Sequence, residues 1–160
     1  MRRWVERTPC CGGAQLGRLT DGRWRCGDCA GWFSASHSGG RLALARAREP
    51  VGVDIQLDCH RPAALRWLAR VSGLETATIA HWAAAEAILK AVGQAGSRPQ
   101  PGWATLPETL VLGERSILRL ASPAGAQVEL LMLTVGQAAL AVARLIDDPP
   151  AGHKRPFGQG

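Results

Sequence analysis

No stretch of this 160-residue chain stays apolar for the roughly 20 residues a helix needs to cross a bilayer. The longest apolar runs, around Leu130 to Leu133 and Ala138 to Ala143, are far shorter, so no membrane span is expected. The basic start, Met1 to Arg7, leads into no apolar segment of the kind that marks a secretory signal, and a cytoplasmic, reducing setting is the expectation. Lysine is nearly missing: it stands only at positions 90 and 154, and arginine supplies almost all the positive charge. The five cysteines are an odd set for a disulfide scaffold, and read as thiols or metal ligands. No repeat of solenoid period is present.

What is there is a 46% apolar composition, enough to bury a core in one domain or two small halves. The 19 basic against 13 acidic residues give a formal charge of +6, which favours an anionic partner: nucleic acid, a nucleotide-like cofactor or an acidic protein.

Residues 1 to 31 are rich in Arg, Gly and Cys, lack a helical or alternating period, and read as irregular with short extended pieces. Arg41–Arg46 and Val51–Ile55, separated by Glu49-Pro50, read as two strands forming an antiparallel pair. Pro62 suits the first turn of a helix over Ala63–Val71 that Ser72-Gly73 ends. An Ala-rich segment from Thr76 or Thr78 to Val92, free of Gly and Pro until Gly93, predicts a longer helix. Gln94–Pro107 reads as a loop. Strands are expected at Ser116–Ala121, Gln127–Leu133 and Ala138–Leu145, with turns at Ser122–Gly125 and Val135-Gly136, and a disordered tail from Asp147.

Three segments carry candidate chemistry, each with a plain alternative. Ser36-His37-Ser38-Gly39-Gly40 is a polar knot whose small residues let backbone amides approach a phosphate, or a turn entering a strand. Gly52-Val53-Asp54-Ile55-Gln56 sets one carboxylate on an apolar strand, with Asp54 and Gln56 on the same face, within reach of one cation. Asp54 alternatively closes a turn or pairs with an arginine. On the long helix, the i, i+4, i+8 spacing stacks Trp82, Glu86 and Lys90 in one stripe, where Glu86 and Lys90 alternatively form an exposed ion pair.

Taken in order, these segments resemble the Sfp-type 4′-phosphopantetheinyl transferase superfamily, whose members carry Ser-His-Ser-Gly, then Gly-(Val/Ile)-Asp-(Ile/Val)-Glu, then Trp-x-x-Lys-Glu-(Ala/Ser)-x-x-Lys. Here they read SHSGG, GVDIQ and WAAAEAILK, and upstream Gly17-Arg18-Leu19 is similar to the family's Gly-(Lys/Arg)-Pro element without its proline. The resemblance spans about Gly17 to Leu145. It implies an α+β fold of antiparallel sheets packed against a long helix, with a shortened first half (1–50), a second half (51–146) and a tail (147–160). It also implies Mg²⁺-dependent transfer of phosphopantetheine from coenzyme A to a serine of an acyl or peptidyl carrier protein. By position, Asp54, Gln56 and Glu86 would hold the metal, Glu86 and Lys90 would act in catalysis, and Arg18, Ser36, His37 and Lys90 would contact coenzyme A. The chain departs from the family at Gln56, where an acid is usual, at Ala85, where a lysine is usual, and in having only 35 residues before Ser36.

Those departures motivate an alternative, a family member that binds coenzyme A or a carrier without turnover. Cys10-Cys11 and Cys26-Gly27-Asp28-Cys29 motivate another, a zinc-ribbon nucleic-acid binder in which Cys11, Cys26 and Cys29 ligate the metal. That reading leaves the helix motif unexplained, so nucleic acid is not the expected partner.

Overall fold

Alternation and turn chemistry build the first sheet. A computed structural model describes residues 16–27, 29–58, 61–120 and 126–147. In it β1 (Leu16–Arg18), β2 (Trp24–Cys26), β3 (Trp32–Ser38) and β4 (Arg41–Ala47) form an antiparallel meander in that order. The hinge between β3 and β4 is Gly39-Gly40. Both glycines have positive φ, 53° and 74°, which a two-residue primed turn demands and which other residues adopt at a cost. The Ser-His-Ser segment is therefore the end of a strand in a tight hairpin, and Ser38 pairs with Arg41 across it.

This corrects the expected pairing of Arg41–Arg46 with Val51–Ile55. The partner of β4 is β3, whose mix of rings, serines and alanines hid its extended state. After Glu49-Pro50 the chain changes sheets: β5 (Val51–Leu57) pairs with β8 (Ala138–Asp147), which pairs with β7 (Gln127–Val135), which pairs with β6 (Arg115–Arg119), all antiparallel. The three downstream strands lie where the sequence put them, within a residue or two at most ends. The Ser122–Gly125 turn and the tail beyond Asp147 lie outside the described residues, as do Cys10, Cys11 and Cys59.

Two helices occur among the described residues, giving an α+β chain with two antiparallel sheets. Helix α1 (Pro62–Ser72) starts on proline, whose missing N–H costs nothing in the first turn, and ends on Gly73 in the left-handed region at φ 69°. Helix α2 (Ile79–Ala91) starts at Thr78, where the Thr78 and His81 side chains cap each other's backbone in a capping box. Ala83, Ala84, Ala85, Ala87 and Ala91 are buried, and these small side chains let α2 settle close on the second sheet. The closest approach is at Gly52 on β5, where a Cβ would stand 1.9 Å from the Ala87 carbonyl oxygen and 2.7 Å from the Ala91 nitrogen. Both obstacles are backbone, so glycine is required for this contact.

The main core lies between the helices and the second sheet, around Leu68, Ile88, Val128, Leu130 and Met132. Each such side chain contributes about 1.5–3 kcal/mol by leaving water. A smaller cluster, Ala43, Val53, Ile55 and Ala138, joins the two sheets. No helix among the described residues is long and apolar enough to cross a membrane.

Candidate active site

The two sheets meet where β3 runs alongside β5 in the same direction. Side chains make the join. Alternation along β3 turns Ser34, Ser36 and Ser38 toward β5. Ser34 Oγ accepts from the Val53 N–H at 3.0 Å and Ser38 Oγ from the Leu57 N–H at 3.2 Å. Between them Ser36 Oγ donates to Asp54 Oδ1 at 2.6 Å.

Asp54 is 3% exposed, and a carboxylate taken that far from water needs compensating donors. It has three. Besides Ser36, Lys90 Nζ lies 2.7 Å from Oδ1, and Gln56 Nε2 donates to Oδ2 at 2.8 Å. Lys90 Nζ also donates to the Val53 carbonyl at 2.9 Å, which fixes the ammonium over the strand. The shared face expected for Asp54 and Gln56 is present. Gln56 turns its amide nitrogen to the carboxylate, where a second acid would repel it.

Lys90 thus forms its ion pair with Asp54, 36 residues away, and not with Glu86 on its own helix. The exposed Glu86–Lys90 pair considered from the sequence is replaced by a buried contact, because Gly52 lets α2 drop low enough for Lys90 to reach β5. Glu86, one turn earlier, is half-buried. Desolvation first, and the charge of Asp54 second, push its carboxyl above the ordinary range, while Lys90 and Arg61 pull it down. A carboxyl shifted upward is a better proton acceptor near neutral pH than an ordinary glutamate.

Two cavities flank this acid–base stripe. The first, about 430 Å³, is lined by Arg18, Arg23, Arg46, Lys90, Trp24 and Phe33, a mixture of cations and ring faces. Arg23 is braced by Asp21 at 2.7 Å and lies over the Trp32 ring at 4.7 Å, and Arg18 lies 5.9 Å from the Trp24 ring centre. The second, about 320 Å³, is lined by Trp67, Trp82, Glu86 and Arg98 among others.

Of the residues singled out from the sequence, Asp54, Gln56, Lys90 and Ser36 come together at the seam, while Glu86 stands one turn earlier on α2 and lines the second cavity. His37 does not join them. Alternation on β3 sends it to the opposite face from Ser36, where it is exposed. Arg18 lines the first cavity, apart from the carboxylates. Ser34, Arg46, Trp67 and Arg98 were missed, and only Ser34 had a visible signal, the period-two run Ser34, Ser36, Ser38. For the zinc reading, Cys26 is buried at the end of β2 and Cys29 is exposed in the turn after it, while Cys11 lies outside the described residues. No group of three or more His, Cys, Asp or Glu able to hold a metal occurs among the described residues.

Asp54 gives Oδ1 to Ser36 and Lys90 and Oδ2 to Gln56, whose amide nitrogen and not its oxygen faces the carboxylate, so Lys90 fills the place that the sequence assigned to a metal held by Asp54, Gln56 and Glu86. No family model matches the chain, and no curated protein matches it.

Proposed function

We propose that the protein transfers 4′-phosphopantetheine from coenzyme A to a serine of an acyl or peptidyl carrier protein in the cytoplasm, as a short member of the superfamily its motifs resemble. The observation that supports this reading is the buried Asp54 held by Lys90, Ser36 and Gln56, with an arginine-lined cavity that Lys90 also lines.

In this reaction the carrier serine oxygen bonds to the β-phosphorus of coenzyme A and the bond from that phosphorus to the bridging oxygen breaks. Adenosine 3′,5′-bisphosphate leaves with the electron pair. Glu86, made more basic by burial, takes the serine proton, directly or through a water. Asp54 and Glu86 would be the residues to hold Mg²⁺ once Lys90 had given up Asp54, and the ion would then supply charge neutralisation at the pyrophosphate. Lys90 positions Asp54 and supplies positive charge toward the leaving phosphate. The arginines and rings of the first cavity suit the adenosine and its 3′-phosphate, since guanidinium binds phosphate through a two-pronged fork. The net positive charge suits an acidic carrier.

The test is to mix the purified protein with apo carrier protein, coenzyme A and Mg²⁺ and read the carrier by mass spectrometry. Modified carrier is expected, with the rate falling about 10²–10⁴-fold in Glu86→Ala. A folded protein that modifies none of several carriers overturns the reading.

One observation favours the second reading, binding without turnover: Lys90 already occupies the Asp54 oxygen that a metal would otherwise approach. Calorimetry that detects coenzyme A binding in a protein without transfer selects this alternative.

A further inference from the structure

The turn between β2 and β3 brings two cysteines to one side of the first sheet. Cys26 ends β2, and the register that pairs Trp24 with Phe33 and Arg25 with Trp32 continues to Cys26 and Gly31, where the Cys26 N–H donates to the Gly31 carbonyl at 2.8 Å. Residues opposite one another in an antiparallel pair send their side chains to the same face, with Cβ atoms about 5 Å apart. Gly31 has no side chain, and Cys29 takes the space: a Cβ at 31 would stand 3.1 Å from Cys29 Sγ. The Cys29 sulfur therefore lies on the same face as the Cys26 side chain, over the position opposite it, on the side of the sheet turned away from β5.

The two thiols differ in their surroundings. Cys26 is 2% exposed while Cys29 is exposed, so a reagent from solution meets Cys29 first. Arg46 Nη2 donates to Cys29 Sγ at 3.8 Å, and Arg25, whose Nε donates to the Ala30 carbonyl at 3.4 Å, adds a second cation to the turn. Cations beside a sulfur favour the thiolate, which is the nucleophile of thiol chemistry. Ala30, next in the chain, has φ 52°, the one positive φ outside glycine among the described residues. Such strain is held in place by its surroundings and clusters where chains bind or react.

We propose that Cys26 and Cys29 form a dithiol–disulfide couple that exchanges with small anionic disulfides, an activity separate from the transfer reaction and independent of that reading. The Cys29 thiolate bonds to one sulfur of the donor, whose S–S bond breaks, and half of the donor leaves as a thiolate. Cys26 gives its proton to solvent, bonds to the Cys29 sulfur and expels the other half. Two cysteine sulfurs are oxidised, two donor sulfurs are reduced, and the released thiolates take up protons. The anionic preference comes from Arg46, which also lines the first cavity together with Arg18 and Arg23.

The test treats the reduced full-length protein with glutathione disulfide, which carries carboxylates, or with the neutral hydroxyethyl disulfide. Cleavage by trypsin after Arg25 and Arg41 releases 26–41 as one peptide holding both cysteines, so its mass reports the bond. The peptide is expected to become lighter by two hydrogens, and added salt to slow the glutathione disulfide reaction severalfold while sparing the neutral probe. Cys26→Ser stops with one glutathione on Cys29, and Cys29→Ser leaves the peptide unmodified. Arg46→Met slows the first step by about three- to tenfold, and Arg46→Lys restores most of the rate. A 26–41 peptide that keeps its full mass or is cross-linked to another peptide overturns the proposal, as does equal salt dependence with both probes. So does one zinc ion per chain, read by elemental analysis, that is lost in Cys29→Ser.

Discussion

The second sheet and the first are held in place by different physics. Strands β5 to β8 hydrogen-bond to one another through continuous backbone ladders, lie beneath α2, and share a core of fully buried Ile, Leu, Met and Val side chains. The first sheet has no helix over it among the described residues, leaves Leu42 and Leu44 at 47% and 43% exposure, and reaches the second through serine hydroxyls and a four-residue apolar cluster. Stability is concentrated in one half and positioning in the other. The candidate catalytic groups lie where the two meet, so the site depends on the weaker join.

The largest expected effect strikes the stronger half. Gly52→Ala drives a Cβ into the backbone of α2 at Ala87 and Ala91, and because neither obstacle is a side-chain tip, the helix must lift. A loss of about 3 kcal/mol in chemical denaturation is expected, with the whole chain unfolding at lower denaturant. A loss below about 1 kcal/mol would mean that helix and strand are less closely apposed than described.

Next in size is an effect confined to the seam. Ser34→Ala with Ser38→Ala leaves the Val53 and Leu57 amides without these acceptors, at about 1 kcal/mol each. Hydrogen exchange should speed up in residues 16–47 and in the β5 edge while 127–145 keep their protection. Uniform acceleration throughout the chain would erase the distinction between the halves.

Smallest is the effect of Glu86→Gln on stability. The carboxyl is pushed up in the folded state, so between the ordinary glutamate range and the raised value the native protein binds more protons than the unfolded chain. Stability therefore falls as pH rises through that window. Gln lacks this penalty. The variant should melt slightly higher than wild type at pH 7, by under about 1 kcal/mol given partial exposure, and no higher below the carboxyl range, even as transfer activity is lost. A variant less stable than wild type at pH 7 would make Glu86 a structural residue.

Much of this was legible in residue types. Proline at the start of α1, the alanines of α2 and the glycines after each helix gave both helices nearly to their ends, because capping and propensity act locally. Asp54 could be named because charge on an apolar strand needs a partner, Gln56 because alternation puts it on the same face, and Glu86 and Lys90 through their helical spacing and the resemblance of their motif. Which partner they take is a long-range matter: nothing local says that Lys90 crosses to Asp54, since that depends on how low the helix rides over Gly52. The β4 pairing failed for the same reason, as the sheet change at Glu49-Pro50 is a decision of tertiary packing. His37 was grouped with Ser36 by adjacency, and an extended backbone separates neighbours by construction.

A seam of hydroxyls differs from a backbone ladder in how it comes apart. Parting β3 from β5 breaks three side-chain hydrogen bonds, about 3 kcal/mol, together with the small shared cluster, while the large core stays shut. The first sheet is therefore fastened to the second by hydroxyls, the small cluster and the Arg23 bond to the Ala91 carbonyl, and the same Ser36 that ties the sheets together is what covers Asp54.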